Sequence, residues 1–244
     1  MARTYKTEAI VLRSMRFSEA DRILHIYTAD RGRIGAIAKG VRKTKSRFGA
    51  RLEPLSHVEL MLHQGGGDLQ TITGVELLRS HHATREDSYR LNVGLIGAEA
   101  MLRLFGEPEA NERAFGALAK FLDLLDDVPP KATQPAADPL VLSFQLKLLW
   151  LAGYLPHVTS CVECGAGDLV GFSARAGGAV CVTHADGALR LSDEGLAGIE
   201  RLLSTPLAAA EDAALTERAA RDTLAVITSS YEEHGGFRMR TLSA

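Results

Sequence analysis

The chain has 244 residues, of which 46% are hydrophobic and 24% charged, and its 28 basic residues nearly balance its 30 acidic ones. This composition excludes disordered, collagen-like and coiled-coil proteins. The strongest apolar run, from Leu148 to Leu155, is far shorter than the roughly 20 residues that span a bilayer. We therefore expect a soluble, cytoplasmic protein that has no membrane partner.

The first 80 residues show the pattern of β-strands. Five apolar or alternating segments, separated by polar or glycine-rich turns, cover residues 8–15, 22–27, 34–38, 58–62 and 69–77. This pattern predicts a five-stranded antiparallel barrel of the OB-fold type, with a long loop between the third and fourth strands. In that fold, a groove binds single strands through cations that follow the backbone and aromatic rings that stack on bases.

Three aromatic residues, Phe17, Tyr27 and Phe48, lie close in sequence to basic residues of this barrel. An isolated aromatic side chain in a strand usually packs inward. We therefore expect each of the three to belong to the core in preference to a stacking surface.

The charge is segregated along the chain. Residues 1–80 carry 14 basic and 8 acidic side chains, a net charge of +6, and the remainder carries a net charge of -8. Between Arg31 and Arg51 there are eight basic residues and no acidic one. A solvated basic loop would explain this run, but a site for a polyanion such as a phosphate backbone explains it better. The candidate nucleic-acid-binding residues are Arg13, Arg16, Arg31, Arg33, Lys39, Arg42, Lys43, Lys45, Arg47 and Arg51.

After residue 80 the apolar spacing becomes helical. We expect helices at 88–105, 111–125 and 139–154, a further one that opens at Ser192, and a last one from Asp212 to His234. The third helix is apolar almost all round and should be the buried centre of a helical domain. The fold class is therefore α+β and multidomain, with an OB-fold domain at 1–80, an all-α domain at 81–244 and a zinc finger inserted at 158–190.

The finger is predicted from four residues, Cys161, Cys164, Cys181 and His184, which use all three cysteines of the chain. Two short knuckles separated by sixteen residues can bring four ligands to one tetrahedral zinc ion. Four protein ligands leave no open position, so the site should be structural. The alternatives are a chance coincidence of three buried thiols and a surface histidine, or a zinc deaminase. The deaminase motif requires a proline before its first cysteine, and Cys161 follows Ser160.

The sequence has no P-loop, no nucleophile elbow and no helical H-E-x-x-H motif. We therefore expect a binding protein that is not an enzyme. Two further alternatives remain: a protein-interaction adaptor whose basic loop binds an acidic partner, and an OB-fold module that binds RNA, since phosphate and stacking contacts serve both nucleic acids.

Several segments resemble RecO, the family of bacterial recombination mediators that act in DNA repair. They are Glu8–Arg13, Ser18–Arg22, Ala38–Gly40, Ser46–Phe48, Leu52–Leu55, Gly153–Pro156 and Cys161–Gly165. The resemblance implies an amino-terminal OB-fold, a helical carboxy-terminal domain and an inserted zinc finger. The family's finger commonly has four cysteines, whereas His184 holds the fourth place here.

The same resemblance implies a function and partners. RecO proteins bind single- and double-stranded DNA, anneal complementary strands and contact the single-strand-binding protein. With RecR, and often RecF, they load the RecA recombinase onto covered strands. The implied location is the cytoplasm, in association with the nucleoid.

Overall fold

The computed structural model describes residues 3–43, 45–46, 48–129, 131 and 134–242. The chain forms two compact units, Met1–Pro130 and Lys131–Ala244. Among the residues that the structure describes, no helix is long and apolar enough to cross a lipid bilayer. The predicted domain boundary after residue 80, which follows the change from strands to helices, stays a prediction.

Five strands form a closed barrel in the first unit. They are β1 (Arg3–Arg16), β2 (Arg22–Thr28), β3 (Gly32–Ala38), β4 (His57–Gln64) and β5 (Gln70–Arg79), in the order β1-β2-β3-β5-β4. All neighbouring pairs are antiparallel except β3 with β5, which pair in parallel. The predicted OB-fold is confirmed, with this parallel closing pair as the one departure from a wholly antiparallel barrel.

The barrel interior is filled by alternate residues of its strands, as the period of two in a β-strand requires. Val11, Ile26 and Leu60 are examples, and each is fully buried. Phe48 and Leu52, from the loop between β3 and β4, pack into the same core. A short 3-10 helix, Gly49–Leu52, connects them. The basic loop, residues 39–56 between β3 and β4, is therefore anchored to the barrel interior in its carboxy-terminal part.

Two of the three aromatic predictions are confirmed and one is wrong. Tyr27 and Phe48 are buried, with exposed fractions of 0% and 1%. Phe17 is 58% exposed. It follows the last residue of β1 and lies in the turn toward β2. The inward preference of aromatic residues applies to strand positions, and Phe17 is not one.

Three helices complete the first unit: α1 (His82–Glu86), α2 (Ser88–Leu104) and α3 (Glu112–Asp127). The Asp87 side chain caps α2 by accepting a hydrogen bond from the backbone of Arg90. The ring of Tyr27 contacts that of Phe105 at 6.2 Å between centroids, and His57 contacts Phe115 at 5.5 Å. The helical segments therefore cover one side of the barrel.

Asp126 joins α3 to α1, and we expect its replacement by alanine to destabilise the first unit. One oxygen of Asp126 accepts hydrogen bonds from the backbone N–H (2.8 Å) and the hydroxyl (2.7 Å) of Thr84, which is fully buried. Asp126→Ala leaves both donors without this acceptor and should lower the free energy of unfolding by about 2 kcal/mol. Asp127→Ala is the matched control, because Asp127 is the next residue of the same helix and is exposed.

Urea denaturation measures both effects. The control should change the free energy of unfolding by no more than about 0.5 kcal/mol. Equal midpoints for the two variants would show that the hydrogen bonds to Thr84 do not stabilise the fold.

The second unit contains α4 (Pro139–Leu151), α5 (Asp193–Ser204) and α6 (Glu217–Gly235). Helix α4 packs against both others and is buried on almost all sides, as its sequence predicts. The predicted start of the last helix at Asp212 is wrong. Residues Leu207–Ala213 form a separate 3-10 segment, and Thr216 caps α6 by accepting a hydrogen bond from the backbone N–H of Ala219.

The same unit holds a small three-stranded sheet. Its strands are β6 (Leu169–Ser173), β7 (Gly178–Cys181) and β8 (Leu189–Arg190), in the order β7-β6-β8. This sheet follows α4 in the chain and precedes α5, so it is an insertion between two helices.

Candidate nucleic-acid interface and metal centre

The outer face of β1, β2 and β3 carries cations beside half-buried apolar side chains. In the antiparallel register, Arg13 lies opposite His25, and His25 lies opposite Gly35. The adjacent row on the same face consists of the half-buried Met15, Ile23 and Ile37. Directly opposite side chains are neighbours on one face of a sheet. This face therefore offers positive charge and an apolar surface together.

The basic loop is held beside the β1–β2 turn by hydrogen bonds. The backbone N–H of Gly40 donates to the Asp21 carboxylate (2.7 Å), and the backbone N–H of Arg42 donates to the carbonyl of Ala20 (3.0 Å). The Arg42 guanidinium donates to the carbonyl of Glu19 (2.9 Å). The Arg42 guanidinium also donates a longer hydrogen bond to the carbonyl of Ser18 (3.4 Å), the residue that follows the exposed Phe17. Arg42 also fixes the loop in place, so its charge is not its only contribution.

The structure spreads the predicted cations over one region of the barrel and its loop. Arg13 and Arg16 lie on the last part of β1, and Arg33 on β3. Exposed side chains in the loop are Lys39, Arg42, Lys43, Lys45 and Arg51. Arg47 lies outside the described residues.

Arg31 lies apart from the cations of the loop that follows β3. It occupies the β2–β3 turn, at the other end of β3 from Lys39. Its guanidinium lies 4.0 Å from the centroid of the Tyr5 ring and 3.4 Å from the Asp30 carboxylate. The Asp30 carboxylate neutralises part of its charge, and the Tyr5 ring covers one face of the guanidinium.

A different part of the barrel surface is acidic. Glu8, Glu59 and Glu76 lie directly opposite one another on β1, β4 and β5. Like charges in this arrangement repel, and the Lys6 ammonium, 2.7 Å from Glu59, offsets part of the repulsion. The Nε2 atom of His57 lies 2.6 Å from the Glu8 carboxylate. This row disfavours a phosphate backbone at its own position.

Sequence reasoning missed His25 as a candidate site residue. A single histidine within an alternating strand does not add to a run of positive charge, so the sequence gives it no prominence. The pairing register places it between Arg13 and the strand that carries Arg33. A reliable prediction of the register would have identified it.

The four predicted metal ligands come together in the second unit. Their ligand atoms all lie within 4.8 Å of one another; Cys161 and Cys181 are buried, and Cys164 and His184 are exposed. The sulfur atoms of Cys164 and Cys181 are 3.8 Å apart. The Nδ1 atom of His184 lies 3.6 Å from the Cys161 sulfur and 3.4 Å from the Cys181 sulfur.

These distances fit a tetrahedral ion of zinc size. Zinc bonds of about 2.3 Å to sulfur and about 2.0 Å to nitrogen place neighbouring sulfur atoms about 3.8 Å apart, and sulfur and nitrogen about 3.5 Å apart. The observed separations agree with both values to within about 0.1 Å. The four side chains are therefore already arranged as a metal-binding set.

The local backbone explains this arrangement. Gly165, with φ of +77°, follows the first knuckle, and its N–H donates to the carbonyl of Cys161 (2.8 Å). At Gly178 a Cβ atom would lie 2.4 Å from the Val162 side chain, so only glycine lets β7 approach the first knuckle. Cys161 and Cys181 pack with the buried Val180 in a small core of their own.

Two of the three thiols in the cluster have lowered pKa values, whereas the pKa of Cys164 is raised. The backbone hydrogen bond from Ala166 lowers the pKa of Cys164, but its hydrogen bonds with Cys161 and Cys181 and its desolvation outweigh this effect. Burial opposes ionisation of Cys161, but backbone hydrogen bonds from Cys181, Glu163 and Cys164 outweigh it and lower the pKa of Cys161 to about 6. The hydrogen bond with His184 is the largest cause that lowers the pKa of Cys181. A thiolate is the form of cysteine that binds a metal, so the protein environment prepares two of the ligands.

Two family models match nearly the whole chain. The N-terminal model of recombination protein O matches residues 1–81, which contain the five barrel strands. The C-terminal model of the same protein matches residues 85–243, which contain α2 to α6 and the metal cluster.

Curated relatives that share the name DNA repair protein RecO are similar to the chain over most of its length. The protein from Rubrobacter xylanophilus is 44% identical over 181 residues, which are 72% of this chain and 70% of the relative. The protein from Anaeromyxobacter sp. strain K is 34% identical over 241 residues, 96% of this chain and 92% of the relative. The protein from Bifidobacterium longum subsp. infantis is 34% identical over 220 residues, which are 89% of this chain and 90% of the relative.

Proposed function

Because the chain belongs to the RecO family of DNA repair proteins, we propose that it is a recombination mediator that binds single- and double-stranded DNA. It anneals complementary strands and, with RecR, helps to load RecA onto strands covered by the single-strand-binding protein. RecF joins this set of partners. The protein acts without covalent catalysis, in the cytoplasm and in association with the nucleoid.

The observation that carries the proposal is the basic surface of the first unit. The β1–β3 face presents Arg13 and Arg33, and the loop that follows β3 presents the exposed Lys39, Lys43 and Lys45. The loop is fixed against the β1–β2 turn by hydrogen bonds and against the barrel core by Phe48. Preorganised cations of this kind neutralise phosphates without a large cost in ordering the loop.

Annealing follows from the same surface. Two complementary strands repel each other through their phosphates. A basic surface that binds both screens this repulsion and raises their local concentration, so that base pairing proceeds without a covalent step. The exposed ring of Phe17 offers a stacking contact that tolerates any base. The apolar row of Met15, Ile23 and Ile37 offers van der Waals contact to a base face.

The metal cluster has a structural role in this proposal. Cys161, Cys164, Cys181 and His184 hold one zinc ion, and four protein ligands leave no position for a substrate or a reactive water. Around the cluster, Arg175 and Arg190 are outnumbered by Glu163, Asp168 and Asp186. This charge balance does not favour a second DNA contact at the finger.

We expect DNA affinity to depend steeply on salt and weakly on base sequence. A labelled single strand titrated with the full chain, followed by fluorescence anisotropy over a series of salt concentrations, measures both. With about six phosphates neutralised, log K against log salt should have a slope near -4, at about -0.7 per contact. Exchange of the base sequence should have little effect because phosphate contacts do not read base edges.

Competitors distinguish the other functions. Unlabelled duplex DNA and RNA of equal length, added to the preformed complex, test whether the site prefers one polymer. A slope near zero would exclude the phosphate mechanism, and no binding at low salt would favour a protein-interaction adaptor. Displacement by RNA at much lower concentration than by DNA would favour an RNA-binding module.

A further inference from the structure

A cleft of about 430 Å³ opens on the outer face of the barrel, at one edge of the β1–β3 face that carries Arg13 and Arg33. Three segments line it: His25 and Arg33–Gly35 from β2 and β3, Asp68–Gln70 at the start of β5, and Gly106 with Pro108 after α2. All of them belong to the first unit. The cleft is therefore a feature of the barrel and the segment that follows α2.

Two glycines shape this cleft. At Gly35, a Cβ atom would lie 2.8 Å from a methyl group of Leu69, so the absence of a side chain lets Leu69 approach the strand. At Gly106, a Cβ atom would lie 3.9 Å from the guanidinium carbon of Arg33. The glycine thus leaves one side of the Arg33 guanidinium uncovered by a side chain.

Two guanidinium groups and an imidazole converge on this position from three strands. Arg13 lies directly opposite His25, and Arg33 lies diagonally across from it, since Arg33 pairs with Tyr27 and Gly35 pairs with His25. Directly opposite side chains have Cβ atoms about 5 Å apart, and diagonal neighbours about 7 Å. All three side chains can therefore reach a single anion.

The surroundings of His25 favour its neutral form. Burial is the largest cause that lowers the pKa of His25, and the nearby charges of Arg33 and Arg13 lower it further. Asp68 is the carboxylate among the residues that line the cleft, and Glu107 belongs to the segment between Gly106 and Pro108. Neither changes the direction of the shift.

We propose that Arg13, His25 and Arg33 together hold one phosphate of a bound DNA strand, and that His25 takes up a proton when the strand binds. The inference rests on the proposed DNA-binding function. A phosphate next to the imidazole offsets the repulsion from the two guanidinium groups and favours the imidazolium form. The apolar row of Met15, Ile23 and Ile37 lies beside this position and receives the neighbouring base.

Proton uptake makes DNA affinity depend on pH in a defined direction. His25 is neutral in the free protein at about pH 8 and gains its charge in the complex as the pH falls. The affinity therefore rises between about pH 8 and about pH 6, and levels off once His25 is protonated in the free protein as well. If binding raises the pKa of His25 by one unit, the gain reaches about tenfold.

The experiment compares four forms of the full chain at fixed ionic strength, by anisotropy of a labelled oligothymidine at about pH 8 and about pH 6. They are the wild type, His25→Gln, His25→Arg and His63→Gln. Glutamine at position 25 cannot take up a proton, and arginine at position 25 is positively charged at both pH values. His63 is the matched control because it lies on β4, with its Nδ1 atom 3.2 Å from the Thr4 hydroxyl and outside the residues that line the cleft.

The wild type and His63→Gln should bind severalfold more tightly at the lower pH. His25→Gln should lose most of this gain, and His25→Arg should bind at both pH values like the protonated wild type. Thermal melts confirm that each variant is folded, and His25→Arg provides the test if His25→Gln is not.

Two contrary results have different meanings. A pH dependence that is the same in the wild type, His25→Gln and His25→Arg overturns the inference about His25 and leaves the DNA-binding function standing. No DNA binding by the wild type at either pH overturns the proposed function, and the inference with it.

Discussion

Replacement of His184 by alanine should remove the bound metal and lower the melting temperature of the protein by roughly 10 °C or more, whereas His184→Cys should preserve both. Alanine leaves three ligands and an open coordination position. Cysteine restores a fourth ligand of a type that zinc accepts equally well in structural sites. The pair of variants separates loss of ligation from any general effect of changing the side chain at this position.

The large expected drop in melting temperature follows from the small hydrophobic core of the finger. Cys161, Val180 and Cys181 form a small buried cluster around the ligands, and β8 has only two residues. Such a small core cannot offset the entropy of ordering the chain. The metal must supply much of the free energy that orders the finger, as it does in independent zinc fingers.

Two measurements test this prediction. Plasma mass spectrometry gives the metal content of the purified protein, and thermal melts with and without a chelator give the melting temperature. We expect one zinc ion per chain in the wild type and in His184→Cys, and a chelator should lower the melting temperature of both. DNA affinity, measured well below the melting transition, should change little in His184→Ala. A stable His184→Ala variant that no longer binds DNA would show that the finger contacts DNA directly.

The sequence was sufficient to predict features that depend on local patterns. The barrel strands follow from a period of two, α4 follows from its apolar residues on every side, and the metal ligands follow from the spacing of three cysteines and a histidine. Each signal lies within a short segment. The physical cause of each of these features is equally local, so the type of each element was predicted correctly. The structure departs from the predictions mainly at the ends of elements, such as the start of α6 at Glu217.

Features that depend on contacts between distant segments could not be predicted. The position of His25 beside Arg13 depends on the strand register, which includes an irregularity between Val11 and Arg13. The acidic row of Glu8, Glu59 and Glu76 joins three strands, and composition alone shows only the net charge of the region. The exposure of Phe17 depends on β1 ending one residue before it.

The structure also decides which loop cations are suitable for a test of DNA binding. Arg42 donates hydrogen bonds to backbone carbonyls of the β1–β2 turn, so its replacement would disturb the loop as well as remove a charge. Lys39, Lys43 and Lys45 are exposed. The triple variant Lys39→Gln, Lys43→Gln, Lys45→Gln therefore removes three charges with little effect on the fold.

We expect this triple variant to bind a single DNA strand on the order of a hundredfold more weakly than the wild type at about 0.1 M salt. Each lost phosphate contact removes about 0.7 from the slope of log K against log salt, so three contacts should reduce its magnitude by about 2. The matched control is Arg3→Gln, Arg79→Gln, Lys120→Gln, which makes the same change in net charge at exposed positions outside the β1–β3 face and the basic loop.

The comparison distinguishes a defined interface from general attraction by a basic domain. Long-range attraction depends on total charge, so it would weaken equally in both triple variants, with similar slopes. A site on the loop predicts a loss of affinity and of slope in the Lys39, Lys43 and Lys45 variant, with only a small change in the control. Anisotropy titrations of both proteins over the same salt series measure the difference, and identical curves would place the DNA outside the basic loop.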